Sequence, residues 1–266
     1  MRIIDLVKGN TAFGCIATIR GEQDIEKMRS YITHNLPVIS QFEEVVFALN
    51  WMESCSAQVI SDYFEMLMNS GVEVSIVSTD ENRNHSLGTM DLDNLLFDFC
   101  KEYNIKWLFK STEDVIIQQD FLDKEIDEAD FYYFNGIGYG GMVKYNFDFD
   151  RIVKEDFYPN TNFYILNTEK IDYLYDEEII TEAFDHISSI KDYSGRIWEY
   201  LPGFSCEGKL AEIVEGLTKY HLLPEDKYRK LLHAVRMYQI HDNAHKNILL
   251  EGVCHFHNPE ESTIII

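Results

Sequence analysis

Residues 13–19 read FGCIATI, an uncharged run in which Ile16, Thr18 and Ile19 are β-branched. A short apolar run of that make-up predicts a buried strand. Directly after it the hydrophobic period lengthens. Ile25, Met28, Ile32 and Leu36 are spaced for one face of a helix over residues 24–38, with Pro37 near its end. The two periods then alternate. Residues 44–50 (EVVFALN) form the second strand signal. Ser56 is placed to cap a helix whose apolar stripe is Ile60, Phe64 and Leu67 and whose end is Ser70-Gly71. Residues 72–77 (VEVSIV) are the third strand. Thr89 is the expected cap of the next helix, with Asp91 and Asp93 in its first turn, where the helix dipole favours anions. Leu92, Leu95, Leu96 and Phe99 make its buried face, and residues 105–109 (IKWLF) are the fourth strand. Strands separated by amphipathic helices in this order predict a doubly wound α/β sheet.

Beyond residue 115 the pattern changes. Residues 113–130 carry eight carboxylates and one lysine, which predicts a solvated helix and loop. Residues 131–134 (FYYF) and 162–166 (NFYIL) read as further strands around a glycine-rich loop. The last third reads as helical: Leu210, Ile213, Val214 and Leu217 share one face, and Pro224-Glu225-Asp226 opens another helix. Residues 252–257 close the pattern with an apolar run. No linker rich in Pro, Ser or Gly divides the chain and no repeat occurs, so one mixed α/β domain over residues 1–266 is expected.

Composition narrows the function. Of 266 residues, 45% are hydrophobic, enough for a sizeable core, while 23 Lys and Arg face 46 Asp and Glu for a formal net charge of −23. Such a surface repels phosphate backbones and anionic lipids, so nucleic acid and membrane surfaces are not expected partners. A free diphosphate needs a cation or a few placed Arg and Lys beside it. The five cysteines include no CxxC pair and read as reduced thiols of a cytoplasmic protein. No stretch approaches a membrane span.

Ligands of a wound sheet sit at the carboxyl ends of its strands. There the sequence offers Thr18, Arg20 and Glu22 after the first strand, residues 79–88 (TDENRNHSLG) after the third, and Lys110-Ser111-Thr112-Glu113-Asp114 after the fourth. The Glu113-Asp114 pair can present oxygens to a divalent cation, or Ser111 or Thr112 can cap an ordinary acidic helix start. His255 and His257 would share one side of a strand, but two histidines do not make a closed zinc site. Gly136-Ile137-Gly138-Tyr139-Gly140-Gly141 fits G-x-G-x-x-G but is followed by strand-like residues rather than a helix, so a dinucleotide site is not expected. Nor do hydrolase-elbow, zincin or P-loop motifs occur.

The order of these segments resembles a GT-A fold glycosyltransferase. In that family the fourth strand runs into a D-x-D motif, often K-x-D-D-D-V, and Lys110-Ser111-Thr112-Glu113-Asp114-Val115 is similar to it, with Thr112 and Glu113 in place of the first two aspartates. Residues 80–88 resemble the loop near the donor. Ser205-Cys206-Glu207-Gly208-Lys209-Leu210 looks like the x-E-D segment facing the acceptor, with Gly208 in place of the aspartate. Cys254-His255-Phe256-His257 is similar to the C-terminal segment that returns a histidine to the metal.

The resemblance implies a GT-A-like, doubly wound mixed sheet flanked by helices, with a helical C-terminal third. Residues 1–115 would be the nucleotide-binding half and residues 116–266 the acceptor-side half. It further implies metal-assisted sugar transfer from a nucleotide-diphosphate donor to a glycan or other hydroxyl acceptor. Thr18, Arg20, Asp80, Arg83, Glu113 and Asp114 would bind the donor. Asp114, His255 and His257 would hold Mn²⁺ or Mg²⁺, with Glu207 as the catalytic base and Tyr139 and Gly140 on the acceptor side. A catalytically inactive GT-A-like glycan-binding or scaffold protein is the alternative, favoured by the degenerate acidic positions. A nucleotidyltransferase is disfavoured, because Ile19-Arg20-Gly21-Glu22 is poor in glycine.

Overall fold

The computed structural model describes residues 1–82, 85–135, 159–171 and 247–250. Four α-helices and seven strands occur among them: α1 (Ile3–Val7), β1 (Thr11–Ile19), α2 (Gln23–Ile39), β2 (Glu44–Trp51), α3 (Ala57–Met68), β3 (Ser75–Ser78), α4 (His85–Glu102), β4 (Trp107–Thr112), β5 (Phe131–Asn135), β6 (Pro159–Asn167) and β7 (Asn247–Leu250). Two 3₁₀ turns, Gln119–Asp123 and Thr168–Lys170, complete the set. The strands form one sheet in the order β3-β2-β1-β4-β6-β5-β7. β1 pairs in parallel with both β2 and β4, and β2 with β3, whereas β6 runs antiparallel to its neighbours β4 and β5. The protein is therefore α/β, with a mixed sheet flanked by helices. Among the described residues no helix is long and apolar enough to cross a membrane.

The strand period of two divides each strand between two layers. Phe13, Cys15, Ala17 and Ile19 of β1 face a core shared with Met28, Tyr31 and Ile32 of α2 and Tyr63 and Leu67 of α3. Ala12 and Ile16 face Leu92, Leu96, Phe99 and Cys100 of α4 on the other side. Phe42 fastens the first layer edge-on between Phe13, at a centroid distance of 5.3 Å, and Phe109, at 4.9 Å. Gly14 lets α4 lie close to the sheet, since a Cβ there would stand 2.9 Å from Leu96 Cδ1 and from Leu108 Cδ1. Asn104, at φ 54°, turns the chain out of α4, and the Ile105 N–H then bonds the Cys100 carbonyl at 2.8 Å, a left-handed helix end.

Several expectations need correction. α1 has no counterpart in the sequence reading. α4 starts at His85, so Thr89 lies inside the helix rather than at its cap. Asp93 is thereby carried out of the first turn and is fully buried. β3 covers Ser75–Ser78 rather than residues 72–77. β4 is displaced the same way, to Trp107–Thr112, which puts Lys110 and Ser111 inside the sheet. Neither Ser111 nor Thr112 caps an α-helix, because the chain continues as coil to the 3₁₀ turn at Gln119–Asp123. Residues 113–130 are also less solvated than their charge suggests. Val115, Ile117, Phe121, Leu122, Ile126 and Ala129 are buried in the first layer.

Helix faces shift by about one position. In α2 the buried residues include Met28, Tyr31, Ile32 and Asn35, while Leu36 is exposed. In α3 they are Tyr63 and Leu67, with Ile60 and Phe64 half-buried. The Ser56 cap is as expected, its hydroxyl oxygen accepting the Val59 N–H at 3.3 Å.

Candidate functional site

From β1 the chain winds one way to β2 and β3, then crosses back so that β4 lies on β1's other side. Between the carboxyl ends of β1 and β4 the strand order reverses, and wound sheets bind ligands at such a point. In register there, Cys15 pairs with Ser111 and Ile16 with Thr112. The polar residues that follow the two strands are thus neighbours in space.

After β1 the Asp24 carboxylate, itself 4% exposed, closes the turn. Its Oδ2 accepts the Arg20 N–H at 2.6 Å and the Gly21 N–H at 3.1 Å. The Arg20 side chain stays exposed at this edge. On the α4 side the Thr18 hydroxyl donates to Asn50 Oδ1 at 2.7 Å. Buried Asn50 in turn donates through Nδ2 to the Gly88 carbonyl at 3.4 Å, tying the ends of β1 and β2 to the start of α4.

After β4 the ladder to β1 stops at Thr112, yet alternate residues keep pointing inward: Ser111, Glu113, Val115 and Ile117 are all buried. Glu113 therefore stands at a position suited to an apolar side chain. Burial pushes its carboxyl above the ordinary carboxylate range, opposed by Lys27. Lys27, on the second turn of α2, places its ammonium 2.8 Å from Glu113 Oε1 and 2.7 Å from Asp114 Oδ1. Burial alone would lower the Lys27 pKa, but Glu113 and Asp114 more than offset it and hold the ammonium above its usual range. The second oxygen of Glu113 is buried with no hydrogen-bond partner among the described residues. The Tyr63 hydroxyl is likewise buried with no hydrogen-bond partner among the described residues, and burial raises it and the Tyr31 hydroxyl well above the ordinary phenol range.

Asn35 fixes this segment from α2. Its Nδ2 donates to the Val115 carbonyl at 2.8 Å and its Oδ1 accepts the Ile117 N–H at 2.7 Å. On the opposite face, fully buried Lys110 sits 3.5 Å from Asp93 Oδ1 and 5.5 Å from the centre of the Tyr164 ring. The Tyr164 hydroxyl donates to Asp93 Oδ2 at 3.4 Å.

Of the residues expected from sequence, Arg20, Glu113 and Asp114 lie at the reversal between β1 and β4, while Thr18, near the end of β1, faces the α4 side and bonds Asn50 of β2. Asp80 lies exposed on the same edge, past the end of β3 and two strands away. Arg83, Tyr139, Gly140, Glu207, His255 and His257 lie outside the described residues, as do the glycine-rich loop, the C-terminal helices and the final apolar run. The sequence reading missed Lys27, Asn35, Asn50 and the Asp93–Lys110 pair. Lys27 gave no local signal, since its partner Glu113 is 86 positions away. Lys110 gave none either, since the expected strand stopped at Phe109; only its place inside β4 shows a buried lysine that must find a counter-charge.

The resemblance implies a divalent ion at this edge, and two observations suit the acidic pair to a cation. An ammonium already stands in it, and Glu113 keeps a buried oxygen without a partner among the described residues. Among the described residues no group of three His, Cys, Asp or Glu surrounds one point, so Glu113 and Asp114 need a further ligand from elsewhere. Comparison of the sequence with protein-family models and with curated proteins finds no match.

Proposed function

We propose that this protein is a GT-A-type glycosyltransferase that moves a sugar from a nucleotide-diphosphate donor to a hydroxyl acceptor on a glycan. The observation that carries the reading is the meeting of the β1 and β4 carboxyl ends, where Arg20, Lys27, Glu113 and Asp114 gather at the strand-order reversal of a mixed sheet. Thr18, Arg20, Asp80 and Arg83 would surround the nucleotide, and Tyr139 and Gly140 would line the acceptor side. Asp114 with Glu113, completed by His255 or His257, would hold Mn²⁺ or Mg²⁺. A bound divalent ion supplies neutralisation of the charge that develops on the leaving diphosphate. Asn35 keeps the acidic pair in place by anchoring the backbone just beyond it. Glu207 would take the proton of the acceptor hydroxyl, a role that typically contributes ~10²–10⁴-fold in rate.

Calorimetric titration with uridine and guanosine diphosphates, with and without Mn²⁺, tests the reading. Asp114→Ala is expected to abolish divalent-dependent binding while far-UV circular dichroism stays unchanged. Donor and metal binding equal to the parent's would remove Asp114 from the site. The presence of Thr112 at the first acidic position favours a second reading, an inactive glycan-binding protein on the same fold. Transfer by the parent that is lost in Glu207→Gln, with donor binding retained, excludes it.

A further inference from the structure

The Glu113-Asp114 pair is not balanced by its lysine. Two carboxylates face one ammonium, which bonds one oxygen of each at 2.8 and 2.7 Å. Glu113 is 8% exposed, and its other oxygen is buried without a hydrogen-bond partner among the described residues. The Tyr63 hydroxyl of α3 is also buried and unpartnered there, and it feels the charges of Glu113, Asp24 and Arg20. One negative charge is left over on three groups, and a divalent cation would cancel the pair completely. Lys27 is itself 29% exposed, on a flexible four-carbon stem that can carry the ammonium into water without disturbing α2.

We propose that Lys27 is the resident occupant of a divalent-cation seat formed by Glu113 and Asp114, and that a divalent ion enters only by displacing its ammonium. Lys27 then sets the divalent affinity of this edge. The inference deepens the donor-site reading by naming what regulates its cation, and it rests on that reading for the relevance of a diphosphate. A freed ammonium beside a bound divalent ion converts a locally negative edge into a positive one. Divalent ion and nucleoside diphosphate should therefore bind with mutual, reciprocal enhancement.

The probe is Mn²⁺ alone, followed by electron paramagnetic resonance of the free ion. Lys27→Met should bind Mn²⁺ about tenfold more tightly than the parent or better, because a like charge within a few ångströms of the ion is gone. Lys27→Arg keeps the charge and should stay weak, and Asp114→Asn added to Lys27→Met should erase the gain. Equal Mn²⁺ affinity in the parent and Lys27→Met would overturn the proposal.

A measurement on the parent protein covers the case in which Lys27→Met does not fold. Acetylation at Lys27, followed by mass spectrometry, should speed up several-fold when Mn²⁺ is added, while exposed Lys8 reacts at an unchanged rate. A Lys27 rate indifferent to saturating Mn²⁺ would also overturn it. If Mn²⁺ behaves as expected but nucleoside diphosphates never bind, the glycosyltransferase reading fails and the lysine seat stands. Diphosphate binding with Mn²⁺ that Lys27→Met leaves untouched has the opposite meaning.

Discussion

Asn35 shows how much one side chain can hold. Fully buried on α2, it satisfies both a carbonyl and an N–H of the backbone that leaves the acidic pair. Asn35→Ala strands both groups, each at a typical cost of ~1–3 kcal/mol, so the expected loss is about 2–6 kcal/mol by urea denaturation. Glu113 sets a pH dependence. Its carboxyl is raised by burial, so between the ordinary value of 4.5 and its folded value the native state holds a proton that the unfolded chain releases. Stability from this group therefore falls as pH rises through that window. Glu113→Gln should flatten the decline, measured as unfolding free energy against pH. Lys27 acts at the other end of the scale: raised in the fold, it stabilises below the ordinary 10.5 and loses that contribution as pH climbs through its folded value. Burial also raises the Cys15 and Cys100 thiols, the latter to about 12, so both should resist thiol reagents until the protein unfolds.

At the scale of elements, α4 is joined to the sheet by two unlike contacts. Near the middle of β1 the absence of a side chain at Gly14 lets Leu96 and Leu108 fill the space. Gly14→Ala should cost about 1–3 kcal/mol in thermal or urea unfolding, as overpacking does, because both leucines are fully enclosed and have little room to yield. Beside it Lys110, the register partner of Gly14, reaches Asp93 on α4. Removing one member of a buried ion pair leaves the other charged in a dry setting, and Lys110→Met should destabilise by about 3–5 kcal/mol. A cycle with Asp93→Asn should return a favourable coupling energy, since the double variant no longer buries a lone charge. Additive losses would show that the pair is not coupled.

Across the whole molecule the formal charge of −23 opposes any anionic ligand. At the β1–β4 reversal Arg20 and Lys27 stand among the carboxylates of Asp24, Glu113 and Asp114, so this edge too stays negative until a cation binds. Long-range repulsion is screened by salt, with a Debye length of ~30 Å at 0.01 M and ~8 Å at 0.15 M. On the proposed function, the association rate of a nucleoside diphosphate should rise over that range, contrary to the fall seen when net attraction steers a ligand. Stopped-flow mixing at two salt concentrations decides it. Only the approach is affected, because contacts within the edge are much less screened.

What the sequence determined by itself is the class of the first half and the place to look in it. Alternation between periods of two and 3.6 is local, arising from neighbours two to four residues apart, so the wound β/α order and the Ser56 cap were readable from residues 13–109. The same locality explains the errors. A period cannot locate the end of β4, because Lys110 interrupts the apolar run and is held in the strand by its ladder partners, Gly14 on β1 and Tyr164 on β6. Nor can a run of carboxylates over residues 113–130 reveal that Val115, Ile117 and Phe121 between them seal the core. At the site, sequence named Glu113 and Asp114 but could not supply Lys27. The tertiary structure decided that, by laying α2 across the edge so that residues 86 positions apart share one ion pair. Apolar periodicity records which face of an element is buried. Which charge meets which depends on where separate elements cross, and only the assembled sheet sets that.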